Sequence, residues 1–300
     1  MYEPPGKKSA DQFTPLFRVL GLIILLGILL FMITKFNYIS CNDVPGWCPV
    51  YCTFAGRDRI AVIYSSNGSG DYNALQSMLT GQSGTDVYKT LYSQIYRNKA
   101  LSLDYFDLKG SSATLLSKYN LLIFTHVDQV SPSELNDITT YVSKGGKIIV
   151  TGNSLVNVQL TQSDLDALAV KNKSLAGSYE KALKSSMKIT PFGTIGTLGG
   201  FSYIEEVNNS ADFVISDPSY VPLRGFQNTI TGVPGYVKVS ANSGLNIPAF
   251  MGTGDTRDPA IIESKIGGAR IIYVAFPLEN FPSQVLALNM IDYYAPCSTT

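Results

Sequence analysis

Polar and apolar positions divide this chain into one long greasy run and many short ones. Residues 16–34, LFRVLGLIILLGILLFMIT, carry no charge from Val19 to Thr34. A helix rising about 1.5 Å per residue needs roughly 20 such residues to cross a hydrocarbon core of about 30 Å. The pattern therefore predicts a membrane-spanning helix over residues 16–35, with Arg18 and Lys35 placed where their charges reach the headgroups. Residues 1–15 are left as a tail, 36–57 as a Cys-rich juxtamembrane stretch and 58–300 as the main domain.

Within that domain the apolar runs are short and rich in β-branched residues. Residues 59–64 (RIAVIY), 103–106, 119–125 (YNLLIFT) and 147–151 (KIIVT) read as strands, and the nearly continuous apolar character of 119–125 predicts burial on both faces, as in a parallel sheet. Helical spacing lies between them: Leu75, Met78 and Leu79 share one face over residues 71–79, and Val87, Leu91 and Ile95 share another. Ser131, Pro132 and Glu134 announce a third helix by N-cap, first-turn proline and capping box, with Leu135, Ile138 and Val142 as its buried stripe and Gly145-Gly146 as its stop. Such alternation predicts a doubly wound, mostly parallel α/β sheet. From about residue 190 to 250 glycines and prolines break the pattern into short β-like runs at 211–215 and 236–241, which reads as a β-rich insertion. Strands at 260–266 and 269–275 and a helix from about 283 to 293, carrying Val285, Leu288 and Ile291, return the chain to the α/β sheet.

Charge then orients the molecule. Lys7, Lys8 and Arg18 precede the greasy run and only Lys35 follows it before Arg57, which predicts a cytoplasmic N-terminus and a main domain outside. A cleaved signal peptide is the competing reading, but the run exceeds the usual length of such a core and ends in MITKFNYIS, without a small-x-small site. The 23 basic residues balance 23 acidic ones, so no net field favours nucleic acid as a partner. Only 15% of residues are charged while 18 are tyrosine, a composition suited to a neutral polar surface. All four cysteines, Cys41, Cys48, Cys52 and Cys297, follow the greasy run. In an oxidising compartment they imply two disulfides, one closing the juxtamembrane loop and one tying the chain end back to it, out of three possible pairings. A four-thiolate zinc site is the sharper alternative, but the spacing lacks paired Cys-x2-Cys knuckles, so no metal is expected. Asn67, Asn172 and Asn208 each begin an N-glycosylation acceptor triplet, a pattern short enough to recur by chance.

In an open α/β sheet ligands bind beyond the C-terminal strand ends. The candidate mouth therefore gathers Ser65, Ser66, Asn67, His126, Asp128, Asn153 and Ser154. His126 is the only histidine of the chain. SSNGSG, beginning at Ser65, lacks phosphate-loop spacing and a following lysine, so it reads as a turn, and no cofactor is implied.

YNLLIFT, KIIVTGNSLV and the terminal GGARIIYVAFPLEN together resemble the class I glutamine amidotransferase-like superfamily over residues 59–153 and 260–294. In that superfamily a strand enters a Gly-x-Cys-x-Gly elbow, and the last strand enters a Phe-His-Pro-Glu segment. The resemblance places Gly152 at the first elbow glycine, Ser154 at the nucleophile and Val156 at the second glycine; Phe276 and Glu279 fit the last motif, and Pro277 stands at the histidine. It therefore implies a fold that has lost its thiolate and its base. Noncatalytic branches of the superfamily, including domains of gliding-type and intraflagellar transport systems, imply protein partners. The expectation is a membrane-anchored extracytoplasmic binding or assembly module, a subunit of a membrane or cell-surface complex. The alternatives are a carbohydrate-binding surface protein, or a serine hydrolase using Ser154 with His126 as base and Asp128 nearby.

Overall fold

Twenty-two residues at about 1.5 Å each make the first helix, α1 (Thr14–Lys35), roughly 33 Å long. The computed structural model describes residues 14–36, 38–65, 103–159, 191–252, 257–283 and 285–298. Ser66, Asn67, Asn172 and the helices expected at 71–79 and 87–95 lie outside the described residues. Leu22, Ile23, Leu25 and Ile28 of α1 are each more than half exposed, so the helix buries little of its apolar surface against the protein. It is long and apolar enough to cross a membrane. Water around so much exposed aliphatic surface is unfavourable by about 25 cal/mol per Å².

The juxtamembrane stretch is a packed element. Trp47–Ala55 forms helix α2, and its Cys52 is bonded to Cys297 while Cys48 is bonded to Cys41. Trp47 Nε1 donates to Thr34 Oγ1 at 3.0 Å, and Tyr51 packs its ring 5.4 Å from that of Phe31. Asp58 closes the same corner, its Oδ2 accepting from Cys297 N at 2.9 Å.

The strands follow: β1 (Ile60–Tyr64), β2 (Leu103–Asp107), the short helix α3 (Ala113–Leu116), β3 (Leu121–Phe124), β4 (Gln129–Val130), α4 (Pro132–Ser143), β5 (Lys147–Thr151) and β6 (Asn157–Val158). The second half contains α5 (Gly193–Gly199), β7 (Phe201–Val207), β8 (Ala211–Ile215), β9 (Thr229–Val233), β10 (Tyr236–Ala241), β11 (Asn246–Gly252), β12 (Asp258–Ile266), β13 (Ala269–Val274) and α6 (Val285–Tyr294). Among the described residues, nine strands join one sheet in the order β2-β1-β3-β5-β13-β12-β11-β8-β9.

The first five of these pair in parallel, in register Ile60↔Leu103, Ile60↔Leu121, Ile123↔Ile149 and Ile149↔Ile272. Every residue of β3 and β13 is buried, which accounts for the unbroken apolar sequence of β3, LLIF; in β13 the one charged residue, Arg270, is buried against Glu263. From β13 outward the sheet turns antiparallel, and β8 alternates buried and half-buried residues with Ala211, Phe213 and Ile215 inward. The expected β-rich insertion therefore supplies the far half of the same sheet, plus a separate antiparallel ribbon of β7 and β10. Edge-to-face packing of Phe192 on Phe201 and Tyr273 fixes part of the core around β13.

Candidate functional site

The parallel strands deliver their loops to one end of the sheet. Strand β3 ends at Phe124, and His126, two residues on, takes a left-handed backbone conformation with φ 51°. A non-glycine residue adopts that region rarely, His more readily than most. Strand β13 ends at Val274 and runs through Pro277 into a short 3-10 turn, Leu278–Asn280, which presents Glu279. His126 Nε2 and Glu279 Oε1 are in hydrogen-bond contact. The ring donates and the carboxylate accepts, whether the imidazole is the neutral Nε2–H tautomer or the cation. The pair is largely shielded, with 16% of the histidine side chain and 8% of the glutamate exposed. The second oxygen, Glu279 Oε2, is buried and has no hydrogen-bond partner among the described residues.

Between these loops, Gly152 follows β5 with φ 55°, and a Cβ there would stand 3.1 Å from Pro277 Cδ. Only glycine gives both the conformation and the close approach. Tyr273 locks the turn from below by donating to the Gly152 carbonyl at 3.0 Å.

The next residues tie loop to loop. Ser154 is fully buried; its N–H bonds to Thr151 O at 3.0 Å and its Oγ accepts from Val127 N–H at 3.4 Å. Leu155 N donates to Val127 O at 2.8 Å. The strained backbone of this turn falls on Leu155, φ 64°, one residue past Ser154. Val156 is buried as well.

A cleft of about 300 Å³ opens above this floor. His126, Gly152, Asn153, Pro277 and Asn280 line it from the strand ends, and Glu206, Asn208 and Tyr236 line it from the β7–β10 ribbon. Tyr236 is held in place by donating to Asp258 Oδ2 at 2.7 Å, and burial, followed by that contact, raises its hydroxyl pKa. Of the residues expected at the mouth, His126 and Asn153 line the cleft, whereas Ser154 lies in the core beneath it. Asp128 is half-buried farther along the His126 loop, and Ser65 follows β1, separated from β5 by β3. The imidazole meets Glu279, from another strand end, where the sequence had offered Asp128 as its neighbour.

Asn280, Glu206 and Tyr236 were not anticipated. The last two come from a ribbon whose strand pairing is not written in any local pattern. For Glu279 the signal was its place in the FPLEN segment after the last parallel strand. Asn208, one of the three glycosylation triplets, is exposed and stands on the cleft rim.

The arrangement can hold or exchange a proton at His126 and accept hydrogen bonds at Asn153, Asn280 and Glu206. A thiolate is not available to it, since all four cysteines are paired in disulfides. Among the described residues no three His, Cys, Asp or Glu side chains cluster as metal ligands do.

Neither a protein-family model nor a curated protein sequence matches the chain. Among solved structures it is similar to a putative ThuA-like protein from Bacteroides uniformis, at 12% identity over 80% of this chain and 91% of that one, with a TM-score of 0.49. A cytoplasmic protein from Salmonella typhimurium is similar at 12% identity over 78% of this chain and 98% of that one, TM-score 0.48. A beta-galactosidase from Bacillus circulans sp. alkalophilus is similar at 16% identity over 78% of this chain, TM-score 0.48, and this chain spans only 31% of its length.

Proposed function

We propose that this chain is a single-pass, membrane-anchored binding module, its α/β domain outside the cytoplasm, which holds a neutral polar ligand or a partner's polar loop in the His126 cleft without turning it over. The observation that carries this reading is the burial of Ser154, whose hydroxyl is taken by the Val127 amide at the position a nucleophile would occupy. Serine is inert without a base within reach. Here the imidazole engages Glu279 and the serine faces the core.

The anchor is α1, and the extracytoplasmic placement rests on the basic residues before it and on two disulfides, which persist in oxidising compartments. The uncharged amides and tyrosine of the cleft suit hydroxyl-rich ligands such as saccharides, and a protein loop of the same chemistry fits the role of a subunit in a membrane complex.

Two experiments test it. Purification from membranes in mild detergent should recover a complex with the intact chain, and Asn153→Arg, which fills the cleft, should lose it. Ester and amide substrates should show no hydrolysis that disappears in Ser154→Ala; hydrolysis lost in that variant overturns the reading.

The His126–Glu279 pair favours one second reading, in which the imidazole acts as a general base on a water molecule. Turnover that survives Ser154→Ala but falls at least about a hundredfold in Glu279→Gln would establish it in place of the binding role.

A further inference from the structure

A second cavity lies at the opposite end of the sheet, where α1 meets the domain. Its volume is about 280 Å³, and it is bounded by the last residues of α1, Thr34 and Lys35, by α2, and by the start of β5. Lys35, Lys144, Lys147 and Arg270 reach its lining, against one lining carboxylate among the described residues, Asp58. Arg270 is already matched, because its Nη1 donates to buried Glu263 at 2.6 Å. The three lysines therefore leave the cavity cationic.

Lys147 is the most constrained of them. Its Nζ donates to the carbonyl of Tyr294 at 2.8 Å, and among the described residues no carboxylate forms an ion pair with it. Burial pulls its pKa down to about 8, partly opposed by Asp58. The half-buried ammonium lines the cavity, where an anion can accept hydrogen bonds from it. Tyrosines 119, 141, 293 and 294 also line the space, and their hydroxyls and rings suit an amphipathic boundary. Trp47, on α2, bonds to Thr34 at the same level.

We propose that this cavity binds a phosphate-bearing anion, with Lys144 and Lys147 as its principal donors. With α1 read as the membrane span, Thr34 and Lys35 stand at headgroup depth, so the group is within reach as the headgroup of an anionic phospholipid; free phosphate is the other source of the same chemistry. The site is independent of the His126 cleft and of what that cleft binds.

The test uses the full chain in detergent, with phosphatidylglycerol, phosphatidylcholine and inorganic phosphate as probes at constant ionic strength. Phosphatidylglycerol should bind about tenfold more tightly than phosphatidylcholine, and Lys144→Gln should weaken it by about tenfold, the loss expected for one charge-assisted hydrogen bond. Lys144 is exposed at the end of α4, so that variant should fold even if Lys147→Gln does not. Saturable binding of inorganic phosphate, lost in Lys144→Gln, supports the site with the free anion as a source; binding of phosphatidylglycerol alone supports the lipid. Equal retention of both lipids with no phosphate binding, or binding unchanged in Lys144→Gln, overturns the proposal.

Discussion

Lys147, at the cavity beside α1, should make stability depend on pH. Its ammonium form is disfavoured in the folded protein, where burial lowers the pKa to about 8 from the ordinary lysine value near 10.4. Between those values the unfolded chain binds more protons than the folded one, so this group makes stability rise with pH over about 8 to 10.4 and lies fully charged, at its greatest cost, below that window. Wild type should therefore gain on Lys147→Met as pH is raised through it, as read from paired thermal midpoints; a constant difference would mean the lysine is not buried as described. At the other end of the sheet, Gly152→Ala meets both a positive φ and Pro277 at 3.1 Å. It should lower stability by about 1–3 kcal/mol in urea unfolding.

Helix α4 shows how local sequence alone can set an element. Ser131 Oγ accepts from Glu134 N at 3.2 Å and Glu134 Oε2 accepts from Ser131 N at 2.8 Å, the reciprocal bonds that Ser-Pro-Ser-Glu announces. Ser131→Ala should cost about 1 kcal/mol, measured by denaturant unfolding, with no change at the distant cavity. Strands β3, β5 and β13 were equally legible, because a strand covered on both faces has no polar face to obscure its pattern. Helix α2 was not. Its nine residues include three of the chain's aromatic residues, two cysteines and a proline, a mixture without periodicity, and its place is set by Cys52–Cys297 and by packing on α1. Strand β10 was legible as the run 236–241, but its pairing with β7 escaped for a related reason. Strands joined across intervening β8 and β9 are specified by long-range pairing, which leaves little local trace.

For the whole molecule the governing covalent feature is the bond between residues 52 and 297, a separation of 245. Closing so long a loop restricts the unfolded chain far more than Cys41–Cys48, seven apart, does. On loop-entropy arithmetic the long bridge is worth about 5 kcal/mol and the short one about 2. The double variant Cys52→Ala/Cys297→Ala should accordingly lose much more stability than Cys41→Ala/Cys48→Ala, as compared by thermal unfolding of the two variants. The proposed anchoring by α1 is tested at the same scale. Protease added outside intact cells should cut the main domain, and a chain lacking residues 1–35 should leave the membrane fraction; full protection of the domain would reverse the orientation.

The one-dimensional pattern settled what depends on neighbours along the chain: a run apolar enough to span a membrane, the buried parallel strands, the capped helix and the cysteines that an oxidising compartment would pair. It could also place Gly152 and Ser154 beside one another, since residues two apart share a turn. It could not bring His126 to Glu279, 153 residues away, nor turn Ser154 into the core, because those outcomes follow from which strand lies beside which. Insertion of β13 next to β5 carries the FPLEN segment over the His126 loop, and the same neighbour relation seats Pro277 against Gly152. Side-chain chemistry is local, but the company it keeps is a property of the folded sheet.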